Sequence, residues 1–141
     1  VVAIIAILAA IAIPAYNQYI KEARIAKVTE HYDRAVSVAR SHSAKIAANN
    51  ARGGTADFPA DAQAWIDEVI DPDQKSNAPE GGVAGYDDVN TNAAKGQIQI
   101  GYTGDATGGV LSIVRPKYPE NETTVGEFVP LTSTSIDTNN I

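Results

Sequence analysis

The first thirteen residues of the chain are all apolar, in the stretch VVAIIAILAAIAI, and Pro14 follows them. The segment has no polar face, which a surface helix of a soluble domain would carry. A helix of this length, at ~1.5 Å per residue, would be about 20 Å long, short of the roughly 30 Å hydrocarbon core of a bilayer. By themselves these residues do not make a complete membrane span.

A second pattern begins at Ile25, where apolar residues recur every three or four positions. This spacing predicts one buried face of a helix. No glycine precedes Gly53, and Gly53 and Gly54 predict the end of the helix. The predicted buried stripe contains Ile25, Val28, Tyr32, Ala35, Val36, Ala39 and Ile46.

After Gly54 the composition shifts to Asp, Pro, Asn and Gly. One short helix is predicted from about Asp61 to Ile70, with Trp65, Ile66, Val69 and Ile70 buried. A long loop follows, from Asp71 to Lys95. Its predicted anchors are Val83, Tyr86 and Val89.

Alternating apolar residues in GQIQIGY and the stretch VLSIVRPKY, joined by GDATGG, predict a β-hairpin. A third strand is expected in GEFVPLTSTSI, where Pro130 confines it to an edge or a bulge. The predicted fold class is α+β, a long N-terminal helix packed on a small antiparallel sheet of three to four strands. The predicted organisation is an apolar stem over residues 1–23 and a head over 24–141. The head comprises an amphipathic helix at 24–52, a loop and short helix at 53–95, and the sheet at 96–141.

Charge is divided unevenly along the chain, although the net charge is −6. Residues 1–52 hold seven basic and three acidic residues, and the remainder holds four basic and fourteen acidic ones, so the two parts carry +4 and −10. This division suggests that the two parts face different surroundings, or each other in neighbouring copies. Equally, the basic residues can simply form a solvated face.

The residues show no motif for catalysis. The chain has no cysteine, and its two histidines, His31 and His42, would lie about 16 Å apart on a helix, too far to share a metal. We therefore predict no enzyme activity, no cofactor and no metal site. Loop acids that raise the question of calcium are interpreted as solvated; they are Asp71, Asp73, Asp87, Asp88 and Asp105.

The N-terminal stretch VVAIIAILAAIAIPAYNQYIKEARIAK resembles the signature of type IV pilins and pseudopilins. The apolar run, Pro14 and the following AYNQYI stand in the family's order, over about a fifth of the chain. The resemblance implies the type IV pilin fold. It also implies a leader removed by a prepilin peptidase and a methylated N-terminus, with about eight residues expected before Val1. Those residues would lengthen the stem to about 21, enough to cross a bilayer.

Several site residues follow from this interpretation. We expect the filament core to be formed by Ile4, Ile5, Ile7, Leu8, Ile11 and Ile13. Pro14 removes the hydrogen bond to Ala10, so we expect a kink in the monomer and either unwinding between about Ala6 and Pro14 in a fibre or the kink alone. Contacts with acidic loops of neighbouring subunits are expected from Arg24, Lys27 and Arg34.

Two further expectations concern the head. Many pilins close their C-terminal region with a disulfide, which a chain without cysteine lacks. Packing of the sheet edge around Phe128 and Leu131 onto the head is expected instead, with bound ions or subunit contacts as further contributors. Sugars are possible at the NET sequon of Asn121 and in the TSTS run, at Ser133 and Ser135.

The predicted function is that of a major pilin, which polymerises into an extracellular type IV filament for adhesion, motility or DNA uptake. The expected partners are identical subunits, the inner membrane before assembly, the prepilin peptidase and the assembly machinery, with no specific nucleic acid. The expected location is the inner membrane and then the surface pilus. The alternatives are a pseudopilin of a type II secretion system and a minor pilin or tip adhesin.

Overall fold

A computed structural model describes residues 1–89, 91–124 and 126–141 of the chain. Its dominant element is helix α1, Val2–Ala51, which is 50 residues long and runs without interruption through Pro14. At ~1.5 Å per residue this helix is about 75 Å long. Helix α1 ends just before Gly53 and Gly54, as the sequence predicts. The Arg52 N–H donates to the Asn49 carbonyl, and Gly53 adopts a φ of +87°.

The second half of α1 packs on the head through one face. The predicted stripe is confirmed, because Val28, Tyr32, Ala35, Ala39 and Ile46 are buried, and Ile25 and Val36 are partly buried. The same face also buries His31 and Ser43, which the apolar pattern does not predict.

The predicted short helix is present but irregular. Helix α2, Ala62–Trp65, is capped by Asp61, whose Oδ1 accepts a hydrogen bond from the Ala64 N–H at 2.8 Å. It continues as a π-helical turn, Ile66–Ile70. Trp65, Ile66, Val69 and Ile70 are all buried as predicted.

The head contains a four-stranded sheet in the order β1-β2-β3-β4. Strands β2, β3 and β4 are antiparallel neighbours and confirm the predicted hairpin and third strand. A short strand β1 pairs in parallel with β2, so the sheet is mixed and the prediction of a purely antiparallel sheet was wrong. The strand bounds are β1 Tyr86–Asp87, β2 Ile98–Asp105, β3 Gly108–Arg115 and β4 Thr132–Asp137.

The reason for the parallel strand lies in the long connection before β2. Tyr86 is buried beneath α1, and its hydroxyl donates to the His31 carbonyl at 3.0 Å. This anchor places β1 beside β2, and a 3-10 turn at Ala93–Lys95 returns the chain in the same direction. Tyr86 was a predicted anchor, whereas Val89 is 57% exposed and that prediction was wrong.

The C-terminal region is held by strand pairing and hydrogen bonds. Leu131 is 67% exposed, so its predicted packing on the head is wrong, while Phe128 is partly buried beside the Lys117 ammonium. Strand β4 begins after Pro130 and lies at the sheet edge, as expected. Ile136 is buried opposite Leu111, and the Thr138 hydroxyl accepts the Gly109 N–H at 2.7 Å. These contacts hold the C-terminal region on the head without a covalent link.

The buried face of α1, the short helix and the inner face of the sheet enclose one core. Trp65 is completely buried in it, with its ring near the rings of His42, Phe58 and Tyr102. The chain is therefore an α+β protein in which a long N-terminal apolar helix packs on a four-stranded mixed sheet.

Candidate assembly and membrane surface

The N-terminal part of α1 projects from the head with its apolar side chains uncovered. All six residues predicted to form a filament core are between 60% and 69% exposed. Isolated exposed aliphatic residues are ordinary, but a continuous apolar rod of this kind marks an interaction or membrane surface. The six residues are Ile4, Ile5, Ile7, Leu8, Ile11 and Ile13.

The projecting part of α1 is exposed on all sides rather than on one. Residues 1–19 are exposed apart from Ala9, and the first side chains partly covered by the head are those of Ile20 and Lys21. Over an 18-residue window the mean hydropathy is 1.7 and none of the window is buried. By length and composition, this helix could cross a membrane.

Pro14 lies inside α1 and leaves the Ala10 carbonyl without its usual helical donor. Tyr16 and Tyr19, 65% and 68% exposed, follow it at the end of the apolar segment. Tyrosine is favoured where an apolar span meets water, because its ring is apolar and its hydroxyl is polar. The order of side chains along the helix thus suits the boundary between lipid and water.

The stem joins the head through an ion pair and a small cavity. Lys21 Nζ lies 2.7 Å from Glu122 Oε1 and 3.7 Å from Glu127 Oε2. The hydrogen bond with Glu122 raises the pKa of Lys21 and lowers that of Glu122. Beside this pair, a cavity of about 370 Å³ is lined by Arg24, Glu80 and Tyr118 among others. The connection between β3 and β4 is thereby tied to the base of the stem.

Burial and a neighbouring carboxylate together raise the pKa of Tyr118 at this junction. The Tyr118 hydroxyl donates to Glu80 Oε1 at 3.0 Å. Desolvation, followed by the effect of Glu80, raises the pKa of Tyr118 to about 12. The phenol therefore stays protonated at neutral pH and serves as a donor.

The three residues predicted to contact neighbouring subunits lie on α1. Arg24 and Arg34 are exposed, and Lys27 is partly buried. Within the described residues, none of them has a carboxylate oxygen within 4.0 Å, and the ion pairs found there involve Lys21 and Lys75. Lys21, which the sequence did not single out, is the stem residue that contacts acidic loop residues of its own chain.

The predicted glycosylation positions are accessible. Asn121 lies in the connection between β3 and β4, and Ser133 and Ser135 lie on the edge strand β4; all three are exposed. Because these side chains are exposed, a modifying enzyme can reach them. Whether they carry sugars stays a prediction.

Of the two histidines, His31 is buried in the head and His42 is partly buried beside Trp65. The His31 ring lies 5.5 Å from that of Tyr86, and its Nδ1 is buried without a hydrogen-bond partner among the described residues. Burial lowers the pKa of His31, with Lys27 and Arg34 lowering it further against the opposing effects of Glu30 and Asp71. Burial also lowers the pKa of His42, assisted by Lys45 and opposed by Glu68.

These lowered pKa values predict an acid-sensitive head. The unfolded chain binds more protons than the folded one once the pH approaches the ordinary histidine value of 6.5. Above pH 6.5 the two neutral histidines therefore make their full contribution to the free energy of unfolding. That contribution falls as the pH decreases from 6.5 to the folded pKa values. We expect a lower urea midpoint at pH 5.5 than at pH 7.5, and a smaller difference in the variant His31→Gln. An equal difference in both proteins would contradict the assignment to His31.

The described residues contain no group of three histidine or acidic side chains close enough to hold one metal ion. Of the loop acids considered for calcium, Asp71 is buried and Asp73, Asp88 and Asp105 are exposed. Asp105 instead accepts hydrogen bonds from the Thr107 N–H and hydroxyl, which lower its pKa.

Comparisons with family models, with curated proteins and with solved structures found no match for this chain. The functional interpretation consequently depends on the residues and geometry of the chain itself.

Proposed function

We propose that the chain is the structural subunit of a type IV pilus, a major pilin that polymerises through the apolar half of α1. The observation that supports this most strongly is the uncovered apolar rod at residues 1–13, whose valine, isoleucine and leucine side chains are all at least 60% exposed. A single chain in water has nothing to cover them. They require either lipid or other copies of the same segment.

The proposal assigns these two environments to successive stages. The monomer resides in the inner membrane, where the stem is surrounded by lipid tails. In the filament the same side chains are buried against neighbouring stems. Leaving each large aliphatic side chain in water instead would cost about 1.5–3 kcal/mol, so outside the membrane the stems must cover one another. Small residues allow close approach between helices in both settings; they are Ala3, Ala6, Ala9, Ala10 and Ala12.

The division of α1 into two halves supports a filament subunit. The apolar face of the second half packs on the head through Val28, Ala35 and Ala39, so that face is not available for burial between stems. In the first half, residues 1–19 are exposed apart from Ala9. Assembly through the stem thus leaves the fold of the head intact and displays it on the outside of the fibre.

We expect Pro14 to be the position at which the stem loosens in the fibre. The missing hydrogen bond at Ala10 and the β-branched residues of the stem both weaken the helix there. A filament density map should show the hydrogen bonds between about Ala6 and Pro14 partly lost, and a Pro14→Ala filament should retain them. Continuous helical density through this stretch in the unmodified filament would contradict the proposal.

The proposed partners are identical subunits, the prepilin peptidase and the pilus assembly machinery. We propose no catalytic role and no specific nucleic-acid partner, because residues 53–141 carry a charge of −10 that repels phosphate. The proposed final location is the extracellular filament. Adhesion, motility and DNA uptake are the activities that such a filament serves.

Electron microscopy of sheared surface material tests the proposal. The expected result is a thin fibre whose repeating unit is this chain, identified by mass spectrometry. A chain that stays in the cell envelope would instead support the pseudopilin alternative. A chain present in a few copies at fibre ends would support a minor pilin or tip adhesin.

A further inference from the structure

On the head, the chain encloses a cavity of about 470 Å³ between the short helix and the β1-β2 edge of the sheet. Its lining, as far as residues 1–89, 91–124 and 126–141 form it, is rich in hydrogen-bond acceptors and contains no lysine, arginine or histidine. Polar side chains of this lining include those of Asp67, Asp71, Asp87, Gln74, Asn92 and Gln97.

One of these carboxylates is buried without a cation. Asp71 is 5% exposed, and its Oδ2 accepts the Ser76 N–H at 3.1 Å. No basic nitrogen of the described residues lies within 4.0 Å of it. A buried carboxylate is costly unless a positive charge or several donors compensate it. This group therefore favours a positively charged occupant.

A second buried group in the lining lacks a partner. Gln97 is 3% exposed, and its Nε2 donates to the Ala84 carbonyl at 3.0 Å. Its Oε1 has no hydrogen-bond partner among the residues that the structure describes. Buried side-chain acceptors are normally satisfied, so an unpartnered one beside a cavity indicates a missing donor.

The arrangement suits an organic cation better than a metal ion. No three acidic or histidine side chains of the described residues converge closely enough for one ion. The acceptors are instead distributed around the cavity. A guanidinium has five N–H donors in a plane and can bond several separated acceptors at once.

We propose that this cavity receives an arginine side chain from α1 of a second copy of the chain. Arg24, Arg34 and Arg40 are exposed on that helix, and none has a carboxylate within 4.0 Å in the described structure. The +4 charge of residues 1–52 complements the −10 charge of the remainder. This inference rests on the proposed filament, and it identifies the acidic surface that accepts the basic face of the second half of α1.

Binding to the cavity is testable without a filament. The full chain, solubilised in detergent, is titrated with N-acetylarginine amide while side-chain amide signals are followed by NMR. We expect shifts at Gln97 and Asn92 with the arginine probe and none with N-acetylcitrulline amide, which has the same shape but no charge. Equal responses to both probes, no response, or a response to Ca²⁺ alone would overturn the proposal.

A charge-reversal pair tests the contact between subunits. Asp87 lines the cavity, whereas the adjacent Asp88 is exposed and does not. We expect Asp87→Lys to lower the yield of sheared fibre roughly tenfold, and Asp88→Lys to leave it nearly unchanged. A second change to Glu at Arg24, Arg34 or Arg40 should restore the yield of Asp87→Lys.

The controls separate the two proposals. Unchanged thermal melting confirms that each variant head is folded, and the milder Asp87→Asn replaces Asp87→Lys if it is not. Equal effects of the Asp87 and Asp88 changes, or no effect of either, would overturn the cavity contact while leaving the filament in place. If the unmodified chain forms no fibre, the proposed function fails, and the arginine titration decides the cavity by itself.

Discussion

Replacing Ile7 by lysine is expected to abolish fibre formation and to weaken retention in the membrane. Ile7 lies at the middle of the apolar run and is 63% exposed, with no contact to the head that could compensate the charge. A lysine at the centre of a membrane helix costs about 2.5–3.5 kcal/mol on insertion scales. The same charge buried among stems in a fibre would lack a partner. The measurements are the fraction of chain that stays in membranes after an alkaline wash and the yield of sheared fibre.

The matched control for this experiment is Gln18→Lys. Gln18 is also exposed on α1 but lies beyond the apolar segment, so a charge there remains at the polar boundary. We expect membrane retention and fibre yield close to those of the unmodified chain. Both variants should show the melting temperature of the original head, since neither residue is buried in it. Normal fibres from Ile7→Lys would remove the main support for assembly through the stem.

Replacing Trp65 by alanine is expected to lower the free energy of unfolding of the head by about 3–5 kcal/mol. Trp65 is completely buried, and its ring lies near the rings of His42 in α1, Phe58 in the following loop and Tyr102 in β2, at centroid distances of 5.7, 6.5 and 6.0 Å. The change removes the largest side chain of the core and leaves a cavity that these rings cannot fill completely. Urea unfolding, followed by far-ultraviolet circular dichroism, measures the loss.

Val89→Ala provides the comparison for the core variant. Val89 is 57% exposed, so its truncation should change the free energy of unfolding by no more than about 0.5 kcal/mol. A loss below about 1 kcal/mol in Trp65→Ala would mean that the core does not depend on the tryptophan as the packing indicates. The stem should remain helical in membranes in both variants, because its side chains do not enter this core.

The elements that the sequence predicts well are those with strong local periodicity. Three such features are the buried stripe of α1, the end of that helix just before Gly53, and the hairpin of β2 and β3. Each follows from a pattern within a few turns or residues. Burial of Trp65 and Ile70 follows from the same kind of pattern. Neighbouring residues are enough to determine these features.

The predictions that failed concern weakly patterned segments. Leu131 and Val89 are apolar residues in loops, where no period indicates which side faces the core, and both are exposed. The parallel strand β1 has only two residues, too short for a recognisable alternation. Its pairing depends on Tyr86 reaching the His31 carbonyl across the fold.

The candidate sites also differ in whether the sequence alone predicts them. The apolar stem could be identified from composition alone, because thirteen uninterrupted apolar residues have no place on the surface of a soluble domain. The contact of Lys21 with Glu122 joins residues 101 positions apart, and no sequence signal indicates it. The acceptor-rich cavity likewise combines residues from the short helix, β1 and the connection to β2.

By itself, the sequence determines that this chain is a long helix with an apolar first half and an amphipathic second half, followed by a small sheet. Helical periodicity and hydrophobicity are local properties, and they are sufficient for that result. The tertiary structure alone decides that the apolar half is left uncovered, that His31 is buried, and that Asp71 and Gln97 line one cavity without a cation. Burial depends on which distant segments meet, because a side chain is desolvated only by atoms that the whole fold brings to it.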